Sequence, residues 1–269
     1  MVKQERAART RETLVRCAAE VFAEEGFGTA SIAMISKRAG VSAGGLHFHF
    51  GSKTALAQAV EDRAVEALRR ITSGRPGGAA ELAANALQVL VDSTHELMAL
   101  LAEDVVVRAG FGLCADVSRG SGVDLRRQWQ VWVDEVVRSA ARGGALADGV
   151  LPQDAANAVV ASMVGLEVLG ADERDWVSRE TLTRFWILML PRLAAQGVLG
   201  GLVAEGTGRW VGRGAGASGG GGEGGSGGGD RGSGAPAPAA ADGGAGAGAG
   251  VEPGAGSGAG SGVGSGAGC

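Results

Sequence analysis

"SIAMISKRAGVSAGGLHFHFGSK", residues 31–53, decides how the rest of the chain is read. Ser31 stands as a cap before a short helical run carrying Ile32, Ile35 and Ala39. Gly40 supplies a tight turn, and Ser42 caps a second short helix that runs to about Phe48. Two short helices joined by a glycine turn, with the small Ala39 at their crossing, form the helix-turn-helix pattern. The first helix would cross a phosphate backbone. The second would lie in the major groove of double-stranded DNA, its N-terminal residues at the base edges and its N-terminal N–H groups open to a phosphate.

His47 and His49 invite a metal reading, and geometry argues against it. Two residues apart on a helix are separated by about 200°, so they cannot share an ion while the helix persists. No third ligand lies nearby, and chelating pairs on helices are spaced i, i+4. The plain alternative to a DNA contact is that both are ordinary surface or half-buried residues. No metal, cofactor or catalytic residue is expected. The chain has no HExxH or GxxxxGK[ST]. Its GxSxG runs follow no strand, and its GxGxxG-like runs fall in a glycine-rich end with no preceding strand. An enzyme is therefore the remote reading.

Outward from this stretch, helical periodicity dominates. Residues 10–25 place Leu14, Ala18, Val21 and Phe22 on one face, with Gly26 as the stop and Thr29 or Ser31 as the next cap. Ser52 caps a fourth helix with Leu56, Val60, Ala64 and Leu68 on its apolar side, ending at the breaker SGRPGG, 73–78. Further helices are predicted at about 79–101, 104–116, 123–143, 154–170 and 178–196. No alternating strand pattern or internal repeat occurs, so the fold class is all-α.

Charge and composition divide the chain. Residues 1–53 carry eight Lys or Arg against five Glu, a net +3, which leaves −7 on the remainder of a chain whose total is −4. A basic head on an acidic body suits phosphate contact at one end. From Gly201 onward, 30 of the 50 glycines fall in 69 residues, and a disordered tail is expected there. Cys17, Cys114 and Cys269 are scattered without CxxC spacing, as in a reduced compartment. No signal-like or membrane-spanning run is found, and a cytoplasmic location is expected.

The run "TASIAMISKRAGVSAGGLHFHFGSKTAL", 29–56, resembles the N-terminal domain of the TetR-family repressors. The resemblance implies a helix-turn-helix domain over 1–53, a helical ligand-binding and dimerisation domain over 54–200 and the glycine-rich tail over 201–269. It implies a DNA surface made of Thr29, Ser31, Ser42, Ala43, Gly44, His47, His49 and Lys53. His47 stands where the family usually has a phosphate-binding tyrosine, His49 matches its usual histidine, Phe50 plugs the small core and Lys53 takes a phosphate. Ala43 stands where the family commonly has a basic residue, and Gly45 adds a second helix glycine beside Gly44.

Within that family, "KQERAARTRETLVRCAAEVFAEEGF", "DVVVRAGFGL" (104–113), "QVWVDEV" (130–136) and "LPRLAAQGVL" (190–199) are similar to the γ-butyrolactone receptors of Streptomyces-type actinobacteria. That implies a homodimeric repressor on a near-palindromic operator, released by a small lactone-like effector. It makes Trp132 the pocket tryptophan, with Trp129, Gln130, Val107 and Phe111 as further candidate ligand contacts. The residues themselves say less. Trp129 and Trp132, three apart on an amphipathic helix, share a face, and core packing is the plain reading of Trp129, Val107 and Phe111. An antibiotic or biosynthetic intermediate as effector is the alternative. His95 reads as a helix-surface histidine. The small-residue apolar faces at 154–170 and 180–195 would close a four-helix interface between two subunits.

Overall fold

The computed structural model describes residues 2–73, 79–116 and 123–208. The breaker at 74–78 and the tail from 209 onward, including Cys269, lie outside the described residues. Among the described residues there are helices and no strands, with one isolated bridge, Leu146 to Ala194.

The head holds three helices. Helix α1, Val2–Thr29, starts well before the predicted residue 10, because the charged opening contains no helix breaker. It breaks where expected, at Gly26, whose φ of 74° lies in the left-handed region. Helix α2, Ile32–Ala39, is capped by Ser31 and closed by Gly40 at φ 65°. Helix α3, Ala43–His49, follows. Leu14, Ala18, Phe22, Ile35, Leu46 and Phe50 form their shared core.

The body begins with α4, Lys53–Ser73, whose first turn is capped by Ser52 Oγ accepting from Ala55 N at 3.0 Å. Helices α5 (Ala79–Glu103), α6 (Val105–Ala115), α7 (Leu125–Arg142), α8 (Pro152–Leu169) and α9 (Arg179–Leu193) follow. A 3₁₀ turn, Arg174–Val177, and α10, Gln196–Leu199, are too short for periodicity to reveal. The body core gathers Leu87, Leu97, Val107, Phe111, Trp129, Val133, Met163 and Trp186. One buried polar pair crosses it: Trp186 Nε1 donates to Thr94 Oγ1 at 2.8 Å, and that hydroxyl donates to Val91 O.

Helix α6 belongs to both cores. Val107 and Phe111, four apart, enter the body core, while Ala109 and Leu113, also four apart, enter the head core. Gly110 lies between the two faces and meets α4 at Ala64.

The body also runs past the expected start of the tail at Gly201. Residues 203–207 lie along the Gln88, Asp92 and His95 side of α5. Gln88 takes Val203 N at 2.8 Å and gives to Val203 O at 3.1 Å, and the Asp92 carboxylate accepts from Thr207 N and Oγ1. His95 Nε2 reaches Ala204 O at 2.9 Å. A tail beginning at 201 is thus corrected: Leu202 and Ala204 pack against the body core, and the polar face of α5 holds the backbone between them.

Candidate nucleic-acid interface and effector site

The reading helix is built from its caps. Ser42 Oγ accepts from Gly45 N at 3.0 Å, and Gly40 turns the chain into it. Leu46 is fully buried and Phe50 nearly so, with the Arg11 guanidinium 4.4 Å above the Phe50 ring. Ser42, Ala43, Gly44, Gly45, His47 and Phe48 are exposed, and His49 is half-buried. The two glycines have different surroundings. A Cβ on Gly45 would come 3.2 Å from the capping Ser42 oxygen, which would have to give by a few tenths of an ångström; a Cβ on Gly44 would meet nothing closer than that oxygen at 4.0 Å.

Other expected DNA residues are spread around this helix. Ser31 is the α2 cap, accepting from Met34 N at 3.2 Å, so the choice between Thr29 and Ser31 falls to Ser31. Thr29 is exposed at the end of α1. His47 and His49 sit on the last turn of α3, and the His49 ring meets the Phe48 ring edge-on at 5.3 Å. Lys53 differs from expectation. Its ammonium donates to the carbonyls of Phe27, Gly28 and Ala30 at 2.7, 3.3 and 2.8 Å and lies 4.5 Å over the Phe27 ring. An ammonium has three donors, and all three are spent tying α1 to α4, so none remains for a phosphate.

Charge on α2 is partly neutralised. Arg38 makes a two-bond fork on Glu24 at 2.7 and 2.6 Å, which lowers the Glu24 carboxyl below its ordinary value and raises the guanidinium. Lys37 is exposed beside it. Sequence reasoning missed Phe48, which is 85% exposed, the most of any large apolar side chain among the described residues.

In the body, Trp129 and Trp132 stack with ring centroids 4.9 Å apart. Trp129 is 2% exposed, as core packing predicts, yet its indole N–H has no hydrogen-bond partner. Trp132 is half-buried against the same core, and Val107 and Phe111 are buried in it. Gln130 faces elsewhere. It lines a cavity of about 320 Å³ with Cys114, Asp124, Arg126, Arg127, Val160 and Val164, and its Oε1 accepts from Arg127 at 2.9 Å. Arg126 at that edge forks onto Glu167 at 2.8 and 2.9 Å, joining α7 to α8. Among the described residues no group of three potential ligands could hold a metal ion, and no helix is long and apolar enough to cross a membrane.

Known proteins share this arrangement. The profile for bacterial regulatory proteins of the tetR family matches residues 14–60. The A-factor receptor protein of Streptomyces griseus is 31% identical over 210 residues, covering 77% of this chain and 71% of that protein. The crystal structure of a γ-butyrolactone receptor, an ArpA-like protein, shares the fold with a TM-score of 0.60 at 24% identity, over 71% of this chain and 92% of that one. CprB of Streptomyces coelicolor, solved in complex with its biological operator sequence, aligns with a TM-score of 0.59 at 25% identity over 72% of this chain and 93% of its own.

Proposed function

The chain belongs to the TetR family of bacterial regulatory proteins, and from that premise we propose a dimeric repressor that lets go of its operator when a γ-butyrolactone-type signal enters the helical body. A DNA-binding regulator controlled by a small ligand is the function the family supports; the lactone and the route of its message are our reading. The observation that carries it is α6. One helix contributes Val107 and Phe111 to the core that holds the tryptophans and Ala109 and Leu113 to the core that holds the reading head. A ligand that moves α6 in the body must therefore move it against α1 and α4.

The effector wall we assign is Trp129 and Trp132, with Val107 and Phe111 behind them. A flat indole stacks on a small ring, and a buried N–H without a partner gains a full hydrogen bond from a lactone carbonyl. In the dimer we place α8 and α9 at the interface, since Val168, Leu169, Ile187 and Leu188 remain exposed on them. Two copies then present their reading helices about 34–36 Å apart on a near-palindromic site. The working place of such a protein is the cytoplasm.

One observation favours a second effector class. The cavity at Gln130 carries Arg126, Arg127 and Asp124, which suits a polar biosynthetic intermediate or antibiotic better than an alkyl lactone. The test is anisotropy of the full-length protein on its operator, titrated with a γ-butyrolactone. Release at stoichiometric lactone supports the first reading. Binding without release, followed by release with a charged intermediate, supports the second; operator binding indifferent to every small molecule would refute both.

A further inference from the structure

We propose that the reading helix recognises its operator through the 5-methyl groups of thymine, with Phe48 as the apolar reader and Gly44 as the clearance that brings it close. This rests on the chain being an operator-binding repressor.

Leu46, fully buried, sets the inward direction of α3. At 100° per residue, Gly44 and Phe48, two before and two after it, point the opposite way. The outward ridge of the helix is thus a bare backbone followed one turn later by an aromatic ring. Long helical side chains lean toward the N-terminus, so the Phe48 ring lies on the Gly44 side of its own turn, yet no ring atom comes within 4 Å of where a Gly44 Cβ would stand. At 85% exposure that ring gains almost nothing from the fold. Gly44 gains nothing either: its missing Cβ would have room inside the chain, unlike that of Gly45, and helices disfavour glycine. A glycine that the fold does not need, one turn before an apolar ring that the fold does not bury, leaves room for something outside the chain.

The chemistry of that face selects the base. Guanine, adenine and cytosine are read in the major groove by side-chain donors and acceptors, whereas thymine alone offers a methyl group, which alanine and phenylalanine can contact. Ala43, Gly44 and Gly45 have no polar side-chain atom, and the Ser42 oxygen is occupied in capping Gly45 N. His47 lies about 100° around from Leu46, on the flank that suits a phosphate. Apolar contact is what remains at the centre of the face.

The experiment uses the full-length protein and an operator selected from a random duplex pool. Each thymine is replaced in turn by deoxyuridine, which removes the methyl and keeps the pairing edge. At the contacted positions we expect affinity to fall about fourfold per methyl, the worth of one buried carbon. Phe48→Ala should fold with unchanged Tm, because the ring is exposed, and should bind thymine and deoxyuridine duplexes alike at the positions that ring reads. Gly44→Ala should keep its Tm and weaken operator binding, since the added methyl occupies the clearance. Equal wild-type affinity for both duplexes, or full thymine preference in Phe48→Ala, would overturn the proposal while leaving the repressor intact. Selection of no duplex at all would remove the repressor reading and this proposal with it.

Discussion

A Cβ on Gly110 would lie 2.3 Å from the Cβ of Ala64, closer than two carbons can approach. Helix α6 therefore rests directly on α4, backbone against methyl, at the place where the body meets the head. Packed interiors shift between discrete arrangements instead of yielding smoothly, so this contact can pass a displacement of α6 to α4 with little lost in between.

Gly110→Ala must push the two helices apart. The expected cost is about 1–3 kcal/mol, the usual range for overpacking, and it exceeds what alanine gains over glycine in a helix. Operator affinity should fall with it, since the head is displaced as an effector would displace it. The double variant Gly110→Ala, Ala64→Gly restores the space. Recovery of both Tm and operator affinity in that double variant checks the contact; additive losses would contradict it.

Lys53 gives a second test. If its ammonium serves Phe27, Gly28 and Ala30, Lys53→Met lowers Tm and leaves the salt dependence of operator binding unchanged. If it were a phosphate contact, the slope of log affinity against log salt would drop by about 1 per subunit. Measuring anisotropy at several salt concentrations separates the two.

Trp129→Phe keeps a ring in the core and removes an indole N–H that has no partner. Loss of an unsatisfied buried donor, about 1–3 kcal/mol, offsets the smaller ring's looser packing, so the unliganded protein should keep its stability to within about 1 kcal/mol. Effector affinity should fall about three- to tenfold, the value of one hydrogen bond. Isothermal titration with the lactone measures it, and an unchanged affinity would remove Trp129 from the effector wall.

His95 makes stability depend on pH. Burial lowers its pKa, outweighing the bond to Ala204 O; Arg179 lowers it further, while Asp92 and Glu205 oppose. The fold thus favours the neutral ring. This contribution is full above the ordinary histidine value of about 6.5 and is lost as pH falls below it toward the folded pKa. Tm should decline between about pH 7 and 5, and His95→Gln should flatten that decline. A chain ending at residue 208 should keep the dependence, and one ending at 200 should lose it together with stability.

The head was legible because its signals are local. Ser31, Gly40 and Ser42 each act within four residues, so caps, turn and helix lengths follow from spacing. Trp129 as core and the five body helices followed from periodicity in the same way. The carbonyl tie of Lys53 was illegible because a lysine's charge is visible in sequence while its three acceptors, 23 to 26 positions away, are not. The segment 201–208 was misread as tail for a related reason. It has little apolar pattern of its own, and Gln88 and Asp92, 115 positions upstream, hold it. Phe48 passed unnoticed because an aromatic in a short helix reads as core until its direction is known.

The most direct test of the account is reciprocity. The lactone's dissociation constant is measured by calorimetry on the free protein and on the protein saturated with operator. If effector and DNA bias one equilibrium through α6, the operator must weaken lactone binding by the same factor by which lactone weakens operator binding, within about 5- to 150-fold. Lactone binding of equal strength in the two states would contradict a repressor released by its ligand.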